Sequence, residues 1–209
     1  MPGLVIEVID ILSREQVARA QSIYKDAFSP DLRVPFNELT RPGSIDRTFV
    51  ALDGSEPVGF AALRLLGSVQ WSFLRYFAIT RERRGQGIGR RFWHLLIRSL
   101  RTEDWPGHVV FEVEDPDEAA DDHAERVIRQ RRIDFWKACG ARLLPASGYM
   151  LPDYTGSGST EPMLLMAGPS ATTPLVQGDQ LRSLILAIYT DRYGLLASDP
   201  LVSRALSLI

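Results

Sequence analysis

The sequence predicts a mixed α/β fold of the α+β class: a central, mostly antiparallel sheet flanked by helices, with a helical extension at its C-terminal end. Three observations carry this. Strands at 47–52, 57–66 and 69–79 follow one another across tight turns, the order of an antiparallel meander. The strand 74–79 then runs through a turn rich in glycine and arginine into an amphipathic helix, 89–100. A further strand, a helix and two more strands follow, and beyond them the pattern changes to an isolated amphipathic helix.

Leu4 to Ile9 reads as a first strand. Ser13 then caps a helix, with Gln16 three residues on to complete a capping box. Val17, Ala20, Tyr24 and Phe28 make the inner stripe of that helix, and Ser29-Pro30 ends it. Residues 31–43 (DLRVPFNELTRPG) form a loop with one short helical turn, Phe36 to Thr40, and present aromatic and acidic groups outward. The loop reads equally as the wall of a substrate pocket and as a plain surface connection. Asp53-Gly54 is a hairpin signal between the next two strands, and Gly67-Ser68 turns the chain into the third.

Ile88, Phe92, Leu95, Leu96 and Leu100 space the helix after the glycine turn, and Asp104 to Gly107 stops it. In the strand His108 to Glu114, Val109, Phe111 and Val113 share one face while Glu112 and Glu114 share the other. An acidic loop, Asp115 to Asp122, leads to a helix at 124–139 with Ile128, Phe135, Trp136 and Cys139 on its apolar side and Gly140 as its stop. Strands at 141–144 and 162–167 enclose a turn-rich insert whose tip falls at 156–159. Residues 168–178 read as a linker. A helix with Leu181, Leu184, Ile185 and Ile188 on one face follows, and Asp199 to Ile209 adds a short one.

A length of 209 residues and a hydrophobic content of 45% support one sizeable core with a small appendage, here 1–168 and 169–209. The appendage is expected packed on the first part or at a homodimer interface. A net charge of -2 and a pI near 5.9 argue against general nucleic-acid binding. The single cysteine, Cys139, suits a reducing cytoplasm; it reads as a small buried residue at a helix end rather than a nucleophile. No basic-then-apolar leader and no apolar run near 18 residues is present, so a cytoplasmic protein with no membrane partner is expected. The acidic loop lacks the spacing of a calcium loop, so no metal is expected.

The chemistry concentrates at Arg84-Gly85-Gln86-Gly87-Ile88-Gly89-Arg90. Helix-first amides lack partners inside the helix, the helix dipole adds positive charge, and glycines let an anion approach the backbone. A strand, this turn and a helix therefore make a phosphate site. The turn, with the meander before it and the segment Phe135 to Ala141 (FWKACGA) after it, resembles the GNAT superfamily of acetyl-CoA-dependent N-acetyltransferases. The family's turn, Arg or Gln, two residues, Gly, one residue, then Gly or Ala, is met by Arg84, Gly87 and Gly89. The resemblance covers about residues 4–167.

That resemblance implies an acyl-CoA N-acyltransferase fold with a splayed sheet and acetyl-CoA as co-substrate. It implies that the amides of Gly85 to Arg90, with Arg84 and Arg90, hold the pyrophosphate. Phe77, Ala78 and Ile79 would line the pantetheine arm as an added strand would. The acceptor would be a primary amine of a small molecule or peptide, attacking directly in a ternary complex. An amine must lose a proton to acylate, so a base is needed. The strand 74–79 holds no carboxylate, which leaves Glu112 and Glu114, whose mutual repulsion would raise one pKa; the same pair reads equally as the solvated face of a strand. Trp136 stands where the family often has a tyrosine acid, and tryptophan is no acid near neutral pH. Tyr149 or Tyr154 could replace it, or water could; Trp136 would then line the thioester or simply fill the core. A dinucleotide oxidoreductase is disfavoured because Gly85, Gly87 and Gly89 give G-x-G-x-G followed by Arg90, after a meander rather than at the start of a βαβ unit. A non-catalytic acyl-CoA-binding module stays open.

Overall fold

In the computed structural model, residues 3–102, 105–119, 122–153, 160–169 and 175–209 are described. Tyr154, Asp121 and the insert tip at 156–159 lie outside them. The chain divides into two compact units. The first is Met1–Leu65 with Leu74–Gly107, and the second is Leu66–Phe73 with His108–Ile209.

The first unit opens with β1 (Leu4–Val8) and α1 (Arg14–Ala27). The capping box is present: the Gln16 amide donates to the Ser13 hydroxyl at 3.2 Å, and the Ser13 amide donates to the Gln16 side chain at 3.1 Å. The short helix α2 (Phe36–Thr40) forms where the sequence puts it, but Phe36 and Leu39 are buried rather than displayed. They join Tyr24, Phe60, Tyr76 and Ala78 in one core. Strands β2 (Asp46–Asp53), β3 (Glu56–Leu66) and β4 (Trp71–Ile79) follow. Hydrogen-bonded neighbours run β1-β2-β3-β4, with β1–β2 and β2–β3 antiparallel. Asp46 is buried and takes two bonds from Arg64, both at 2.9 Å, as well as a pairing with Arg75. Charge pairing on this scale is what allows a carboxylate to leave water. The helix α3 (Ile88–Thr102) closes the unit, with Phe92, Trp93 and Leu96 fully buried. Gly59 makes room for it, because a Cβ there would lie 2.9 Å from Ile79 Cδ1 and 3.1 Å from Phe92 Cδ1.

In the second unit the first residues of β4 pair in parallel with β5 (Val109–Glu114), but only at Ser72–Val109 and Phe73–Val110. β5 pairs antiparallel with β8 (Glu161–Gly168), which also takes β6 (Arg142–Leu143) and β7 (Met150–Leu151). β7 lies in the insert read as turns only; two residues are too few for a periodicity to register. The helix α4 (His123–Ala138) buries Ile133 and Trp136, whereas Ile128, expected inside, is 48% exposed. One turn of α4 suffices to explain this: the buried face is set by Ile133 and Trp136, and Ile128 falls off it. The extension supplies α5 (Asp179–Ala187), a π-helical turn at Ile188–Arg192 and α6 (Pro200–Ser207). Leu181, Leu184, Ile185, Ile188 and Val202 share a core with Phe73, Val110 and Leu165. Thus residues of the extension bury the very face of β5 that carries Val110 and Glu112.

Candidate active site

The first unit holds Phe77, Ala78, Ile79 and the turn Arg84 to Arg90. The second holds Glu112, Glu114, Trp136 and Tyr149.

The turn begins with a 3-10 element, Arg81–Arg83. Thr80 bonds the Glu82 carboxylate, and chiefly through this bond Glu82 is held below the usual carboxylate range. Arg84 folds back to donate from Nε to the Ile79 carbonyl at 3.0 Å, and Gln86 donates to the Glu82 carbonyl at 2.9 Å. Gly85 and Gly87 both have φ of 75°, a conformation that costs other residues roughly 1–2 kcal/mol. The Gly87 carbonyl accepts the first helical bond from Arg91 at 3.1 Å. The amides of Gly85, Gln86, Gly87, Ile88, Gly89 and Arg90 have no acceptor among the described residues. A Cβ added at Gly85 or Gly87 would meet nothing within 4 Å, so the space above these amides is open. The first turn of α3 contains no acidic residue, and Arg90 and Arg91 stand there instead. Cations at a helix N-terminus oppose the dipole and are favourable once an anion lies between them. The residues present therefore fit a pyrophosphate. A cleft of about 300 Å³ adjoins the turn, lined by Arg19 and Asp26 of α1 and by Ile79, Thr80 and Glu82.

On β4, Phe77 stacks on Phe92 with centroids 4.9 Å apart, while Ala78 belongs to the core on the α1 side. Strand alternation produces the split: consecutive residues serve opposite faces.

Glu112 and Glu114 do not act alike. Glu114 is half-exposed and pairs with Arg132 on α4. Glu112 is half-buried and is bonded by two tyrosines. Tyr149 donates to its Oε1 at 2.5 Å, and the Tyr193 hydroxyl lies 2.8 Å from Oε1 and 2.7 Å from Oε2. Burial raises the Glu112 pKa and outweighs the bonds from Tyr149 and Tyr193 and the charge of Arg192, all of which lower it. The cause is thus loss of solvation and not repulsion from Glu114, as the sequence reading had it. Nor is this face of β5 solvated at Glu112.

Tyr149 is 1% exposed and stacks on Tyr189 at 5.2 Å. Burial first, then the charge of Glu112, pushes its phenol well above the ordinary value, so it keeps its proton. Tyr189 itself is pushed up to about 12, first by burial. Arg192 lies over the rings of Tyr193 (4.6 Å) and Phe73 (5.8 Å). Trp136 packs on Phe111 at 4.4 Å in the core.

Arg192 and Tyr193 are the residues of this cluster that reading the sequence did not single out. A signal was present: they sit four residues after Ile188 and Tyr189, where the apolar stripe of α5 would continue. A charge and a phenol on an inward stripe call for a buried partner. Among the described residues no three His, Cys, Asp or Glu gather as a metal site, and no helix is long and apolar enough to cross a membrane.

The profile described as "Acetyltransferase (GNAT) family" matches residues 8–140. No curated protein matches the chain in sequence. Among solved structures, a GNAT-family protein from Bacteroides thetaiotaomicron is similar at TM-score 0.70 and 20% identity, covering 91% of this chain and 99% of its own. An aminoglycoside 6'-N-acetyltransferase complexed with coenzyme A is similar at TM-score 0.57 and 15% identity, covering 81% and 99%. The ribosomal-protein-S18-alanine N-acetyltransferase from Escherichia coli is similar at 0.51 and 16%, covering 84% and 96%. At these identities the structural likeness is one of fold. The profile spans more than half of the sequence: the chain belongs to the GNAT family of acetyltransferases.

Proposed function

We propose that the protein moves an acetyl group from acetyl-CoA to a primary amine of a small molecule or peptide, by direct attack. The observation that carries this is the row of six amides without an acceptor among the described residues, opened by two glycines at positive φ, with Arg84 and Arg90 beside them. Acetyl-CoA supplies the activated acyl group and a thiol leaving group. The turn would bind its pyrophosphate, with Phe77, Ala78 and Ile79 along the pantetheine arm.

Glu112 is the base. Its raised pKa places its proton exchange closer to neutrality than an exposed carboxylate would, the condition for efficient base catalysis. Tyr149 orients it and keeps its own proton. Glu114, already paired with Arg132, is the lesser candidate. Cys139 is buried at the end of α4, which favours direct attack over a covalent acyl-enzyme. Trp136 has the surroundings of a core residue, so a family-like acid at this position is not part of the mechanism. A thiol of ordinary pKa near 8.5 needs little acid help. A protein of this kind would work in the cytoplasm, where acetyl-CoA is made available to it.

The test is a thiol-release screen of acetyl-CoA against polyamines, amino acids, aminoglycosides and peptides. Release with at least one amine is expected. A thermal shift with acetyl-CoA but no release with any amine would instead support a non-catalytic acyl-CoA-binding module.

A further inference from the structure

We propose that Tyr193, contributed by the C-terminal segment beyond the matched region, is the catalytic proton carrier through which Glu112 serves the reacting amine. This rests on the reading of Glu112 as the base.

The geometry is the first argument. A hydroxyl 2.8 Å from one carboxylate oxygen and 2.7 Å from the other is nearly equidistant from the two and bridges them. Tyr149 already occupies Oε1 from a second direction. The Tyr193 hydroxyl is thus placed to pass a proton to either oxygen of Glu112. The second argument is exposure. Tyr149 is 1% exposed, whereas Tyr193 is only half-buried. The third is local backbone. The Tyr193 amide donates to the Ile188 carbonyl at 3.3 Å, five residues back, so the chain leaves α geometry just before this residue. The wider turn delivers Tyr193 to Glu112 and Arg192 to the ring of Tyr193, and such departures gather at functional sites.

The step balances without any further reactant. As the amine nitrogen bonds to the acyl carbon, its N–H proton passes to the Tyr193 oxygen while the Tyr193 hydroxyl proton passes to Glu112. As the carbon–sulfur bond breaks, the two transfers reverse and the proton reaches sulfur. Amide and thiol are the products, and Glu112 and Tyr193 return to their starting states. One pair thus acts as base and then as acid, which accounts for chemistry without a tyrosine at Trp136.

The experiment compares the full chain with Tyr193→Phe, Glu112→Gln and the double variant, using the amine that releases thiol fastest in the screen. Phenylalanine retains the ring that meets Phe73 edge-on at 6.5 Å, so the fold is preserved. Tyr193→Phe is expected to lower kcat about 100-fold, the scale of one acid–base group, with acetyl-CoA affinity unchanged. The double variant should be no slower than the slower single one, because the two residues act as a unit. Rates in mixtures of light and heavy water should curve for the wild type, with two protons in flight, and become linear for Tyr193→Phe. A Tyr193→Phe enzyme of nearly wild-type kcat, or losses that multiply in the double variant, or a wild-type isotope response in Tyr193→Phe, would overturn the proposal. If Glu112→Gln is fully active, the reading of the base falls and this one with it. If no amine releases thiol, the enzyme reading fails first, which is a separate result.

Discussion

The turn at 81–90 and the cluster around Glu112 solve opposite problems with opposite means. The turn is made of consecutive residues, is exposed, and offers backbone amides; its identity lies in which positions are glycine. The cluster draws on residues 112, 149, 192 and 193, is largely withdrawn from water, and is built from side chains. The first suits a ligand that arrives with its own charge. The second holds a charge of its own, which is why it needs two phenols and an arginine around it. In the proposed mechanism binding falls to the first and proton transfer to the second, and variants should separate them.

The largest effect is expected from Glu112→Gln. It removes the proton acceptor and keeps the shape, so kcat should fall by about 10²–10⁴. Acetyl-CoA affinity, measured by calorimetry, should not change. Equal losses in both would mean that the two regions do not divide the work. Next comes Gly87→Ala. There is room for the methyl, but φ of 75° becomes strained by roughly 1–2 kcal/mol. If the turn relaxes and its amides lose their aim, acetyl-CoA should bind about tenfold more weakly, while the pH dependence of kcat stays as in the wild type. The smallest effect is on stability, and it has the opposite sign. The Glu112 pKa is raised on folding, so the folded state binds its proton more tightly than the unfolded one. Below the unfolded value of about 4.3 nothing is lost, and stability declines as pH rises toward and through the folded value. Glu112→Gln has no such loss. It should melt higher than the wild type at pH 8, with the gap closing near pH 4. Thermal melts at the two pH values check this.

Much of the unit that holds the turn is legible in the sequence. Ser13 and Gln16, Phe36 to Thr40, and the run from Leu74 to Leu100 all announce themselves through local spacing, and local spacing is what fixes caps, turns and amphipathic faces. The second region was legible only in part. Glu112 stood out as a carboxylate on a strand, but alternation made its face look wet, because nothing nearby in sequence reveals that α5 and the turn after it cover that face. Tyr149 could be named as a candidate acid without any sign that it would touch Glu112. Tyr193 lies 81 residues from the carboxylate it bonds, and pairings at that distance are set by tertiary packing. Ile128 failed for the same reason: its apolar character was visible, while the side of α4 that meets the core was decided by Ile133 and Trp136.

The π turn at Ile188–Arg192 sets how this protein can tolerate changes of length. Each residue of a regular helix advances the chain by about 100°. Removing one residue from that turn would let α geometry continue and would swing the residues after it around the axis, carrying the 193 hydroxyl off the Glu112 carboxylate. Substitutions that keep the count leave this register alone. The short stretch before Tyr193 should therefore keep its length over evolutionary time, whereas the loops around it can gain or lose residues.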